Sequence, residues 1–178
     1  MPTKIKNTGS GPGPRTLDGC SVEFWKQLKA GTEPELIASV VPVGGYILEL
    51  GAGVGRITHP LIKRGYAVTA IDNSPEMLAE TAGAETHVSD IEDLALNRYF
   101  HAVVLGSHLI RAPEFETRRA LLATCRRHLA VNGVACVQWH GGNWPGDDIR
   151  PGLSQTADEI TDHVDSIRRD GSVVHMTL

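Results

Sequence analysis

The chain has 178 residues, 41% of them hydrophobic and 21% charged, with a formal net charge of −4 and a pI near 6.0. That is enough chain for one domain with a full core and too little for two ordinary ones. The mildly acidic balance argues against a nucleic-acid partner, which requires a basic stripe.

Cys20, Cys125 and Cys136 are an odd set without CxxC spacing, which points to neither a disulfide framework nor a zinc site. No metal is expected, and the thiols read as buried and free in a reducing compartment. No apolar run approaches membrane-spanning length, and the N-terminus lacks a signal-peptide pattern. A cytoplasmic protein with no membrane partner is expected.

Residues 1–19 read as a flexible arm, because the run Gly9-Ser10-Gly11-Pro12-Gly13-Pro14 favours neither helix nor strand. Residues 20–178 read as a single domain. A short helix is expected from Cys20 to Ala30, with Phe24, Trp25 and Leu28 on one side. A second helix is expected over Pro34–Val41, whose leading proline and early Glu35 suit a first helical turn. Ile47–Leu50 reads as a short buried strand. Gly51-Ala52-Gly53-Val54-Gly55 then reads as a tight turn whose missing Cβ atoms let backbone approach a ligand.

Arg56–Arg64 should be the next helix, with a first turn that is irregular or begins late because of Pro60. Ala67–Ile71 is a β-branched strand ending at Asp72. Ser74-Pro75-Glu76 supplies an N-cap, a first-position proline and an acid for a helix that carries Met77 and Leu78 and stops at Gly83. Glu85–Val88 is a third strand leading to Ser89-Asp90-Ile91, and Ala102–Leu105 a fourth ending at Gly106-Ser107-His108. The longest helix is expected from Pro113 to Leu129, with Phe115, Leu122, Cys125 and Leu129 inward and Arg118, Arg119, Arg126 and Arg127 toward water. Asn132-Gly133 turns the chain into a fifth strand, Val134–Trp139. After it, Asn143–Gly152 reads as a loop and Ala157–His163 as one or two helical turns. Asp170-Gly171 reads as the turn of a hairpin between Val164–Arg169 and Ser172–Leu178.

Strands alternating with helices imply an α/β fold, a doubly wound and mainly parallel sheet. Ligands of such sheets sit beyond the carboxyl ends of the strands. Those ends carry Gly51 to Gly55, Asp72, Asp90, Ser107-His108 and His140. The dinucleotide fingerprint needs a third glycine where this chain has Arg56 or Thr58, so it fails.

An acid two positions before the first glycine of G-x-G-x-G resembles motif I of class I S-adenosylmethionine-dependent methyltransferases. The resemblance runs from about Pro42 to Gln138, through Glu49–Gly55, Ile71-Asp72, Asp90-Ile91 and the Leu129…Gly133 turn. It implies S-adenosyl-L-methionine as cofactor. The backbone of Gly51, Ala52, Gly53 and Gly55 would lie beneath its methionine part and ribose, with Glu49 shaping the pocket. Asp72, with Asn73 beside it, would accept hydrogen bonds from both ribose hydroxyls. Asp90 would receive the adenine amino group, Ile91 would give an apolar wall, and Gly106 and Ser107 would line the methyl-transfer mouth.

Methyl transfer from a sulfonium is a direct displacement, so alignment can supply most of the rate. A general base matters only where the acceptor must lose a proton. His108 and His140, each just past a strand end, are the candidates, with bonding of loop backbone as the alternative. Trp25, Trp139 and Trp144 are candidate walls for a flat substrate, or ordinary core. The Asn/Asp-Pro-Pro-aromatic segment of nucleobase amino-methyltransferases is replaced by Gly106-Ser107-His108-Leu109. A small organic acceptor, methylated at oxygen or nitrogen, is therefore expected.

Family members usually have seven strands, whereas only a hairpin follows the fifth here. The sheet edge so left invites a homodimer. Two other readings are a non-methylating cyclisation or rearrangement on the same fold, and a non-catalytic partner subunit.

Overall fold

A computed structural model of the chain describes residues 13–17, 19–140, 151–152, 154–157, 160–163, 166–170 and 173–177. They fall into two units, one ending at Trp139 and one beginning at His140. In the first, β1 (Tyr46–Leu50), β2 (Ala67–Asp72), β3 (Glu85–Val88), β4 (Phe100–Leu105) and β5 (Leu129–Val137) form an all-parallel sheet in the order 3-2-1-4-5. The chain leaves β1 toward β2 on one side and returns to β4 on the other. The switch point, where a crevice opens at the carboxyl ends, therefore lies between β1 and β4.

Alternate strand residues pack in opposite directions. Ile47 joins Ile37, Val41, Ile57, Leu61 and Val104 on one face, while Leu48 and Leu50 join Ile71, Val103, Leu105, Leu121 and Cys125 on the other. Burial on both faces is why these strands read as continuous apolar runs. It also pushes the Cys125 thiol up to about 11, leaving it a packing group.

The helices are α1 (Val22–Gln27), α2 (Glu33–Val40), α3 (Thr58–Lys63), α4 (Pro75–Leu78) and α5 (Phe115–His128). Helix α1 is shorter than expected. Ser21 caps it by accepting the Phe24 amide at 3.2 Å, and Val22 rather than Phe24, Trp25 or Leu28 is its buried residue. Helix α3 begins two residues past Arg56, which leaves Pro60 in the first turn where its missing N–H breaks no helical bond. Ser74 caps α4 by accepting the Met77 amide at 3.2 Å.

Helix α5 differs from expectation in its inward face. Phe115 and Leu122 are 65% and 47% exposed, while Leu121, Thr124, Cys125 and His128 are buried. Two polar residues face inward because each is fully bonded. Thr124 donates to the Ile91 carbonyl at 2.9 Å. His128 Nε2 accepts the Leu96 amide at 2.9 Å, which places its ring proton on Nδ1, 2.9 Å from the Thr124 carbonyl. Nor do all the arginines face only water, since Arg127 reaches the Leu94 carbonyl at 2.5 Å.

Strand β5 starts at Leu129 rather than Val134. Phe100 pairs with Leu129 but Ala102 with Val134, so the ladder bulges there, with Asn132 at φ +66°. The expected Asn132-Gly133 turn is thus a bulge inside the strand.

In the second unit, β6 (Ser154–Ala157) and β7 (Ile160–His163) pair antiparallel, as do β8 (Ser166–Asp170) and β9 (Val173–Thr177). The expected helical turns over Ala157–His163 are therefore a hairpin, in keeping with the β-branched Thr156, Ile160 and Thr161. The expected terminal strand pair is present, with Asp170 paired to Val173 and so part of the strand rather than of the turn. Most of the Asn143–Gly152 segment lies outside the described residues.

Candidate functional site

The segments that follow β1, β2, β3 and β4 surround a cavity of about 350 Å³, within the range of small-molecule sites. Gly51, Ala52, Gly53 and Val54 form its wall after β1, and Asp72 and Asn73 after β2. Ser89, Asp90, Ile91 and Glu92 line it after β3, and Gly106, Ser107 and Leu109 after β4. Glu49 lines it from within β1. Each expected cofactor residue is on this wall except Gly55.

The loop after β1 is held by β2. The Gly51 and Ala52 amides both donate to the Ile71 carbonyl at 2.8 Å. Gly53 has φ +56°, and a Cβ built there would meet nothing within 4 Å, so its backbone faces open space. Gly55, at φ +83°, serves the turn instead. A Cβ there would stand 2.8 Å from the His59 ring, and the Gly55 carbonyl accepts the His59 amide at 2.9 Å.

Asp72 is oriented by backbone at both carboxylate oxygens. The Gly53 amide donates to Oδ2 at 2.8 Å and the Ser74 amide to Oδ1 at 3.0 Å. Since each carboxylate oxygen can accept more than one hydrogen bond, an acid fixed in this way suits a vicinal diol. Asn73 Nδ2 donates to Asp90 Oδ1 at 2.9 Å and so ties the segments after β2 and β3 together. With Ile91, Leu109, Met77 and Trp25 as apolar walls, the cavity offers acceptors for a ribose and an amino group beside surface for a flat ring.

Glu49 is 3% exposed and accepts the Thr58 hydroxyl at 2.5 Å. Burial pushes its carboxyl up to about 7, against the pull of Thr58 and the Arg56 charge and with a push from Asp72. Arg56 is fixed by Glu33 Oε1 at 3.0 Å and by the Lys29 carbonyl at 3.3 Å. A buried acid poised between charge states at the floor of a cavity suits a ligand that brings positive charge.

Several wall residues carry no local sequence signal. Thr16, in the stretch expected to be an arm, is buried and lines the cavity with Cys20, while Trp25 lines it as one of the expected candidate walls. A small hydrogen-bonded turn holds it there: the Thr16 amide donates to the Cys20 carbonyl at 3.0 Å and the Gly19 amide to the Thr16 carbonyl at 3.1 Å. Ser107 and His108 both have positive φ, +50° and +55°, a strained backbone of the kind that clusters at functional corners. Ser107 lines the cavity, and its amide donates to Gln138 Oε1 at 2.9 Å. His108 is not among the lining residues, and His140 belongs to the second unit. Trp139 lines a different cavity, and Trp144 lies outside the described residues. Among the described residues no group of three or more His, Cys, Asp or Glu is placed to hold a metal.

The comparisons with known proteins agree with this geometry. A family profile described as "Methyltransferase domain" matches residues 47–133. An uncharacterized methyltransferase of Mycobacterium tuberculosis is 38% identical over 61 residues, covering 34% of this chain and 25% of its own. The chain therefore spans about a quarter of the length of the curated relatives it matches. Among solved structures, a TehB-like SAM-dependent methyltransferase from Corynebacterium glutamicum is 26% identical over 71% of this chain and 74% of its own, with a TM-score of 0.61. The glycopeptide N-methyltransferase MtfA complexed with (S)-adenosyl-L-methionine is 31% identical over 61% of this chain and 49% of its own, with a TM-score of 0.54. With the 3-2-1-4-5 parallel sheet, the acidic glycine-loop motif and the two acids after β2 and β3, residues 47–133 match a methyltransferase domain, and the chain is similar to class I S-adenosylmethionine-dependent methyltransferases.

Proposed function

We propose that the chain transfers a methyl group from S-adenosylmethionine to a small organic acceptor at oxygen or nitrogen. The observation that carries the reading is the single cavity joining an oriented Asp72, the Asn73–Asp90 pair and the bare backbone of Gly53. When bound, the cofactor would supply an electrophilic methyl for direct displacement by an acceptor lone pair, with its sulfur keeping the electron pair of the broken carbon–sulfur bond. The chain's own residues hold and align. Asp72 takes the ribose hydroxyls and Asp90 the adenine amino group, with Ile91 against the ring. Glu49 faces the positive charge, and Gly106 and Ser107 leave room where the acceptor approaches. His108, at the positive-φ corner after β4, is the proposed base for an acceptor that must lose a proton. A homodimer through the sheet edge is part of the reading, supported by β5, which pairs only with β4 among the described strands. No helix among the described residues is long and apolar enough to cross a membrane, and the cytoplasm is the proposed location.

Calorimetry with S-adenosylmethionine tests the assignment. The wild-type chain should bind it, and Asp72→Ala should weaken binding by about 1.5–3 kcal/mol through loss of a charge-assisted acceptor. Folded protein that binds neither the cofactor nor its demethylated product would overturn the reading.

A further inference from the structure

Residues 89–99, which connect β3 to β4, form neither helix nor strand, yet they carry Ser89, Asp90, Ile91 and Glu92 to the cavity wall. A backbone outside any ladder must find its partners elsewhere, and those partners decide where it stands. At its start the Ser89 amide donates to the Asp72 carbonyl at 3.0 Å, and a local turn forms where the Leu94 amide donates to the Ile91 carbonyl at 3.3 Å. Helix α5 holds the stretch that follows. Thr124 Oγ1 donates to the Ile91 carbonyl at 2.9 Å, Arg127 Nη1 donates to the Leu94 carbonyl at 2.5 Å, and His128 Nε2 accepts the Leu96 amide at 2.9 Å. The side chains of Ile91, Leu94 and Leu96 pack in the same cluster as Leu121 and Cys125 of that helix.

Thr117, Leu121, Thr124 and His128 recur at helical spacing and form one stripe along α5. The first two line the cavity themselves, and the last two grip the segment that carries Asp90 and Ile91. One rigid helix therefore gives wall directly and also sets the place of the neighbouring wall. Thr124 and His128 are fully buried. Apolar side chains would fill the same space, so what these two add is the bonds they make. From the other side, Asn73 Nδ2 donates to Asp90 Oδ1 at 2.9 Å, so Asp90 stands between Asn73 and a backbone fixed by α5.

We infer that Thr124, Arg127 and His128 are positioning residues for the cofactor's base: through the backbone of Ile91 to Leu96 they hold Asp90 where it reads the adenine amino group, and so they set the preference for adenine over other purines. The inference rests on the methyltransfer reading for what occupies the cavity. Hypoxanthine carries a carbonyl oxygen in place of the amino group and sets an acceptor against the Asp90 carboxylate. A site that reads a donor rejects the analogue lacking it only while its own acceptor is held in place.

The test is calorimetry on the full chain with S-adenosylhomocysteine and S-inosylhomocysteine, which differ only at the base, with thermal melts to establish that each variant is folded. The wild type should bind the adenine ligand about tenfold more tightly. Thr124→Val, which keeps the shape and removes the hydroxyl, should lower that preference about fivefold, while Thr124→Ser should retain it. Arg127→Met, at an exposed helix position that does not threaten folding, should lower it about threefold. A preference that survives Thr124→Val and Arg127→Met would overturn the inference. So would equal weakening of both ligands, which is what a merely structural role gives, or a Thr124→Ser protein as indifferent as Thr124→Val. A wild type that binds both ligands equally removes this inference and leaves the cofactor reading standing. A folded wild type that binds neither removes the methyltransfer reading and this inference with it.

Discussion

Glu49→Gln is the substitution that most directly tests the energetics of the cavity floor. Glu49 is a buried carboxyl whose pKa burial raises to about 7 from an ordinary 4.5. Because the folded state holds this proton more tightly than the unfolded chain, its contribution is fully present below pH 4.5 and is lost as pH rises through about 7. Each pH unit of displacement corresponds to about 1.36 kcal/mol, so ionising Glu49 in the cofactor-free protein costs the fold about 3 kcal/mol. Glutamine keeps the size of the side chain and a carbonyl oxygen for the Thr58 hydroxyl, but it never ionises. Its amide hydrogens add a penalty that does not depend on pH, so the informative quantity is how the difference between the two proteins changes. Thermal melts from pH 5 to pH 8.5 should show Glu49→Gln gaining on the wild type by about 3 kcal/mol across that range, or roughly 6–12 °C for a chain of this size. Two melting profiles that stay parallel would refute a proton held by Glu49.

Two further outcomes test the local structure. Gly55→Ala should destabilise the fold by about 2 kcal/mol, because φ is +83° and the new Cβ would sit 2.8 Å from the His59 ring. Gly44→Ala, at φ +72° with nothing within 4 Å, should lose less, about 1 kcal/mol, and equal losses in denaturant titrations would refute the contact argument. His128→Phe should cost about 1–3 kcal/mol, since it strands the part-buried Leu96 amide and removes the ring's bond to the Thr124 carbonyl, and a chemical denaturation midpoint near wild type would show that neither bond matters.

The 3-2-1-4-5 order within the sheet came from the structure, whereas the succession of strands along the chain, the glycine loop after β1 and the acids at the ends of β2 and β3 were legible in the sequence. They are local in origin: buried parallel strands are continuous apolar runs, and positive φ in a tight turn selects glycine. The reach of Asp72 and Asp90 into one cavity also followed, because the carboxyl ends of parallel strands lie together. Inward faces that depend on a distant partner were not legible. Thr124 and His128 face the core, where the Ile91 carbonyl and the Leu96 amide bond them, and an apolar-spacing argument passes over both. The bulge of β5 had the same kind of cause, since its register is set by pairing with β4 across the sheet.

The sequence by itself determined that Glu49, Gly51, Gly53, Asp72 and Asp90 would gather at one end of a parallel sheet, because spacing and strand direction dictate it. Tertiary structure alone decided what closes that end. Thr16 and Cys20 reach the wall through a turn far upstream, beside Trp25, which the sequence already offered as a candidate wall. Glu49 becomes a carboxyl poised near neutrality only once burial, Thr58, Arg56 and Asp72 surround it. Glu33 pairs with Arg56 only where α2 comes beside the loop after β1. Desolvation and long-range contact have no period in a sequence, and they set the chemistry of this site.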